Sequence, residues 1–224
     1  VGGSITAGSG SIVQNTIANG DIVISGNGRI TDSSASSISL SNGVVQNNTV
    51  IGDGISVSNG SVLNNAVSGG GITVGNESMV RDNSVENAPG WGIRASGNAT
   101  VEHNRVVGCA NGIQASNGNV KGNLIANIEG VGLQIGSATV EHNTFTAIGG
   151  SAIKITSGTP GLIAGNNFEF NPGSYDVENL IPKDTLMTVD ARNNWWGTTS
   201  GTAIRQRIWD FNDDYTLGTV LYAP

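Results

Sequence analysis

Gly92-Ile93-Arg94-Ala95, the turn Ser96-Gly97-Asn98 and then Ala99-Thr100-Val101-Glu102-His103-Asn104-Arg105-Val106 decide the fold of this chain. Ile93, Ala95, Ala99 and Val101 alternate with polar residues, the period of short strands that bury one face. Arg94 and Thr100 therefore point outward, Asn104 marks a corner, and Val106 opens a third inward-facing segment. The same apolar-x-x-Asn-x-apolar frame appears as Ile12-Asn15-Ile17, Val45-Asn48-Val50, Val62-Asn65-Val67, Val80-Asn83-Val85, Val120-Asn123-Ile125, Val140-Asn143-Phe145 and Ile163-Asn166-Phe168. Ile30-Ser33-Ala35 is a weaker copy, and Ala191-Asn194-Trp196 closes the series. Most frames are followed by a second motif, seen in Gly54-Ile55-x-Val57, Gly71-Ile72-x-Val74, Gly112-Ile113-x-Ala115 and Gly132-Leu133-x-Ile135. A motif returning about every 20 residues is the signature of a stacked repeat. Hairpins would not hold Asn at a constant phase, so the strands run parallel, coil upon coil. The expectation is an all-β solenoid of about ten coils.

The framed Asn reads as a turn residue in left-handed conformation whose amide bonds its neighbour one coil away. Stacked amides of this kind stabilise cross-β arrays, at roughly 0.5–1.5 kcal/mol net per hydrogen bond. The expected ladder is Asn15, Asn48, Asn65, Asn83, Asn104, Asn123, Asn143, Asn166 and Asn194. Asn-Gly pairs at 19–20, 27–28, 42–43 and 59–60 suit tight turns, because both residues tolerate positive φ.

The composition narrows the function classes. The chain has 224 residues, enough for one domain, with 12% charged side chains and a net charge of -7. That balance argues against nucleic acid and anionic membranes, which reward clustered Lys and Arg. No apolar run has the length of a membrane span. Cys109 is alone, so no internal disulfide forms. The first residue is Val1 without a leader, which predicts a processed or excised piece.

The repeat resembles the right-handed, single-stranded parallel β-helix of the pectate-lyase-like superfamily, in particular the repeat modules of secreted and surface proteins. Asn193-Asn194-Trp195-Trp196-Gly197, Ile204 to Asp210, Asp213-Asp214 and Val220-Leu221-Tyr222-x-Pro224 look like the closing segment of such modules. The resemblance implies an extracellular or cell-surface location. It is specific for the fold and nearly silent on function, since lyases, hydrolases, tailspikes and adhesins share it. Residues 1–200 are read as the β-helix and 201–224 as a cap of the same domain. Thr202 is the expected N-cap of a short helix whose Ile204 and Ile208 face the core. Phe145, Phe168 and Trp196 widen the core towards that end. Nothing in the sequence caps the first coil, which predicts end-to-end self-association or a missing upstream segment.

Candidate chemistry is sparse. The outward column Val23, Ser39, Ser56, Thr73, Arg94, Gln114, Gln134 and Lys154 corresponds to the strand face that holds polysaccharide in pectate-lyase-like enzymes. Trp91, Arg94, Gln114, Gln134 and Lys154 are the glycan-contacting candidates, with Trp91 placed to stack on a sugar ring and the cations suited to an acidic glycan. His103 and His142 share a phase two coils apart, roughly 10 Å, too far for a shared metal. Glu102, Lys121 and Glu141 read as an alternating surface charge ladder. Asp210, Asn212, Asp213 and Asp214 form the densest acidic cluster and the one calcium candidate, although they lack the spacing of a helix–loop–helix calcium loop. Otherwise no cofactor and no metal are expected. Cys109 reads as a small buried hydrophobe, and Asn171 to Asp184 as a long insertion. The reading is a non-catalytic extracellular module, structural or glycan-contacting, of a larger surface or filament-forming protein. The alternative is a polysaccharide lyase, epimerase or hydrolase, and it requires acids and a base converging in one groove.

Overall fold

The computed structural model describes residues 2–186 and 188–223. Val1, Met187 and Pro224, the last of which ends the expected closing segment, lie outside them. The chain winds as a parallel β-solenoid of about nine turns with one short helix, Gly201–Arg205, near its C-terminus. It is all-β, as the repeat required. The tenth frame, Ala191-Asn194-Trp196, does not build a further three-strand turn. Trp195 makes only an isolated bridge to Asn167, and the turn is completed by pairing of Thr188–Asp190 with Thr219–Leu221.

Three faces line the core, each with at least one inward column. On the first face Ile22, Ile38, Ile55, Ile72, Ile93, Ile113, Leu133, Ile153, Val177 and Ile208 stack in register. On the second face Val13, Ile30, Val45, Val62, Val80, Val101, Val120, Val140 and Ile163 do the same. The third runs from Val50 through Val67, Val85, Val106 and Ile125 to Phe145 and Phe168. β-Branched side chains dominate because their stiff χ1 suits a pleated surface buried on one side. The third column then swells. Phe145, Phe168 and Trp196 stack with ring centroids 5.4 and 4.9 Å apart.

The ladder lies inside this core. From Asn48 to Asn166 each amide Nδ2 donates to the Oδ1 of the next Asn, and the backbone N–H of the same residue donates to that oxygen too. Asn104 Nδ2 also reaches the carbonyls of Val80 and Glu102. Seven of these residues are buried, which is tolerable only because every polar atom has a partner.

Two expectations about the ladder are corrected. Asn15 does not belong to it. Val13 rather than Ile12 pairs with Ile30, so Ile12 and Ile17 stand 69% exposed and Thr16 occupies the ladder position, its N–H donating to Ser33 Oγ at 3.2 Å. Two apolar residues in a row, Ile12-Val13, left the phase of this coil ambiguous in the sequence. The second correction concerns backbone conformation. The left-handed residue is the one before the ladder position: Asn15, Asp32, Asn47, Asn64, Asp82, His103, His142 and Asn193 have φ of 52 to 60°, with Gly122 and Gly165 filling the same column. The ladder Asn itself must stay extended to give both its N–H and its amide to the next coil.

The first corner is built differently along the chain. In the early coils the strands Ile22–Thr31, Ser34–Gln46 and Thr49–Leu63 run unbroken around it, with Asn27, Asn42 and Asn59 in register and Gly28, Gly43 and Gly60 beside them. A methyl group on Gly43, at φ 128°, would run into the Gly28 carbonyl oxygen. Glycine is therefore required there by contact as well as by conformation. At the other end the helix is capped by Ser200, not Thr202: the Ser200 side chain accepts from Ala203 N–H. Ile204 and Ile208 are buried in the common core, and Ile208–Trp209 pairs with Val177–Asn179.

Candidate functional site

The outward column on the first face is longer than the sequence revealed. Register carries it from Thr6 through Val23, Ser39, Ser56, Thr73, Arg94, Gln114, Gln134 and Lys154 to Glu178 and Trp209. Its first half is hydroxyl-bearing and uncharged after Val23. Its second half holds every charge. Arg94 Nε donates to Gln114 Oε1 at 3.0 Å, and Lys154 Nζ to Glu178 Oε1 at 3.1 Å, while Ser151 Oγ donates to the other Glu178 oxygen. Lys154 is therefore an ion-paired cation.

Clefts open along this column. One of about 510 Å³ is bounded by Asp53, the glycines 69–71, Trp91 and Arg94. Gly70 and Gly71 pack backbone to backbone against the adjacent coils, where a methyl group would meet the Gly52 and Trp91 carbonyl oxygens. A shallower depression of about 240 Å³ joins Arg94, Gln114 and Ser116. Trp91, Arg94 and Gln114 are thus brought together, and Gln134 and Lys154 continue the same column one and two coils on. Glu178, Trp209 and Tyr175 were missed because the insertion from Asn171 shifts the repeat phase. The one available signal was the alternation Val177-Glu178-Asn179 flanking an outward acid.

The other candidates have structural partners. Asp210, 1% exposed, accepts from Arg205, from Asn212 and from the Val220 N–H, and Asp213 accepts from the same Arg205. The Thr216 N–H and hydroxyl bind Asp214 and hold its carboxyl below the usual range. Both Asp210 oxygens and one oxygen each of Asp213 and Asp214 thus face protein donors. The insertion is pinned: Arg207 pairs with buried Asp176 at 2.9 Å and donates to the Asn171 and Gly173 carbonyls. Cys109 is fully buried, and desolvation pushes its thiol pKa up. Lys121 stacks in register between Glu102 and Glu141, but Glu102 pairs instead with Arg81 at 3.6 Å.

Residues 9–207 match the family described as NosD, periplasmic copper-binding protein. The chain belongs to the NosD family. That family is one of right-handed parallel β-helices, which agrees with the parallel solenoid and with the fold resemblance drawn from the repeat. Neither a curated protein nor a solved structure matches the chain. No described helix is long and apolar enough to cross a membrane.

Copper in the family description invites a test of the donors. Soft copper(I) takes thiolate and thioether ligands, and copper(II) takes imidazoles. The two histidines stand on one turn column with a whole coil between them. Each ring lies flat on the glycine below it: a methyl group on Gly122 would come within 2.8 Å of His103 Cδ2, and one on Gly165 within 3.0 Å of His142. Cys109 is inside the core, and no three of His, Cys, Asp and Glu among the described residues converge. The described His, Cys, Asp and Glu residues do not fit a copper centre.

Proposed function

We propose that this NosD-family chain is a non-catalytic β-helix module acting outside the cytoplasmic membrane, and that the column from Trp91 and Arg94 to Lys154 contacts a neutral glycan. The periplasmic description of the family supports the location. The observation that carries the glycan reading is the in-register track Arg94, Gln114, Gln134, Lys154, with the Trp91 ring at its glycine-lined end. Three coil steps span about 14 Å, and the amides along them offer both donors and acceptors to sugar hydroxyls.

Charge pairing selects the ligand class. Glu178 cancels Lys154, which leaves Arg94 with Asp53 across the same cleft, so the track has no surplus of positive charge for uronates. Enzymatic chemistry finds little support in the same residues. Glycoside hydrolysis uses two carboxylates across the scissile bond, and the column offers Glu178 alone, held by Lys154 and Ser151. Amides bind hydroxyls but do not abstract protons at neutral pH.

Titration with neutral oligosaccharides and with oligogalacturonate, followed by calorimetry and by reducing-sugar and unsaturated-uronate assays, tests this reading. Weak binding of a neutral chain is expected, reduced about tenfold by Trp91→Ala or Gln114→Ala, with no cleavage. Preference for the acidic chain, or turnover lost on changing Arg94, Lys154 or Glu178, overturns it.

A further inference from the structure

Where the outward column ends, Tyr175, Glu178, Leu180, Trp209, Asp214 and Leu217 line an open depression of about 430 Å³. The Tyr175 and Trp209 rings meet at 5.5 Å between centroids and 52° between planes, so two aromatic faces form a corner. Both rings are only half-buried. Leu180 and Leu217 supply apolar wall. The charges are few and can be summed. Glu178 is offset by Lys154 at 3.1 Å, whereas Asp214 makes no ion pair. Thr216 takes one Asp214 oxygen and keeps the carboxylate ionised, and the other oxygen makes no hydrogen bond. The corner thus carries one net negative charge beside two electron-rich ring faces and apolar wall.

We propose that this corner binds a methylated ammonium group, seated against Trp209 and Tyr175 and balanced by Asp214. The physics separates this ligand from its rivals. A cation within about 6 Å of an aromatic centroid is attracted by the ring quadrupole, most strongly by Trp. A primary ammonium is strongly hydrated and must shed that water to sit against the ring faces. A methylated ammonium has few or no N–H donors, is weakly hydrated and matches apolar walls. A neutral sugar can donate a hydroxyl to the open Asp214 oxygen, but it brings no positive charge to balance the carboxylate. The chain's net charge of -7 adds long-range attraction for any cation. This site is separate from the Trp91–Lys154 track and does not depend on the glycan reading.

The probes are choline, glycine betaine, glucosamine and glucose, followed by protein-observed NMR on the intact chain, with phosphatidylcholine vesicles in a co-sedimentation arm. Choline is expected to bind at millimolar concentration, more tightly than glucosamine, with glucose silent and with binding weakened by added salt. Asp214→Asn, on an exposed side chain, should weaken choline about tenfold, with no more than a slight fall in Tm from the lost charge facing the Thr216 donors. Trp209→Phe keeps a ring in the corner and should weaken it less. Vesicle binding lost in the same variants assigns the group to a lipid headgroup, and its absence alongside choline binding assigns a free solute. Equal binding of glucose and choline, no shift with any cation, or choline binding unchanged in both variants overturns the proposal. The track variants Trp91→Ala and Gln114→Ala should leave choline binding intact, so failure of one site is distinguishable from failure of the other.

Discussion

Residues 2–75 carry four charges, Asp21, Arg29, Asp32 and Asp53, and turn their first corner on stacked Asn-Gly pairs where backbone touches backbone. Beyond Phe145 the same solenoid is held by a stack of three aromatic rings, by Arg207 on buried Asp176 and by Arg205 on buried Asp210. The early coils are nearly identical layers, each satisfied by the next. The late coils lose the repeat, and side chains reaching across 31 residues, as from Arg207 to Asp176, replace what the repeat no longer supplies. The aromatic corner and the pinned insertion lie in the irregular part, while the track runs along regular coils and ends where the repeat fails. Regular stacking gives an even outward column, and irregularity gives the corner that closes it.

Four experiments break or sharpen that contrast. The largest effect should come from deleting residues 201–224. The deletion strips Ile204 and Ile208 from the core and removes the strands paired to Val177–Asn179 and Thr188–Asp190. The exposed edge should drive aggregation. A truncated chain that stays monomeric at an unchanged Tm contradicts the assigned capping role.

Next is the ladder. Asn104→Leu removes an amide that satisfies Asn83, Asn123 and two carbonyls, and should cost about 3–4 kcal/mol in denaturant unfolding. Thr16→Val, at the end where the ladder gives way to hydroxyls, should cost under about 1 kcal/mol. Equal costs would mean that position along the ladder is irrelevant.

The third pair reads the corners. Gly43→Ala forces a methyl group against the Gly28 carbonyl and should cost about 2–3 kcal/mol. Phe170 sits at φ 51° in a column otherwise filled by Asn87, Gly108, Asn127 and Ala147, and is 90% exposed. Phe170→Gly should therefore stabilise by about 1 kcal/mol. A loss of Tm in that variant would show that the Phe170 ring packs in solution.

The smallest effect is electrostatic. The Arg192 guanidinium, hydrogen-bonded to Asp190, holds that carboxyl at about 2. A depressed folded pKa gives stability that is present above the ordinary carboxylate value and lost as pH falls through about 2. Both side chains are more than a third exposed, so screening limits the contribution to under about 0.5 kcal/mol. Asp190→Asn should thus lower Tm slightly at neutral pH, and the gap to the parent should close between about pH 4 and pH 2. A gap that persists at pH 2 would assign it to something other than the carboxylate charge.

The sequence by itself determined the parallel solenoid, the inward columns, the ladder from Asn48 to Asn194 and the aromatic widening, because each follows from a strict period that only coil-on-coil stacking satisfies. It also placed Arg94, Gln114, Gln134 and Lys154 on one outward column, with Trp91 just before it. The tertiary structure decided whatever the period did not reach. Ile12-Val13 offers two phases, and only pairing with Ile30 chose Val13 and moved the ladder from Asn15 to Thr16. The left-handed column was invisible as a column because Asn, Asp, His and Gly all serve in it. Beyond Asn171 the insertion erases the phase, so the ion pairing of Lys154 by Glu178 and the meeting of Tyr175 with Trp209 rest on strand register, a long-range property no local motif encodes.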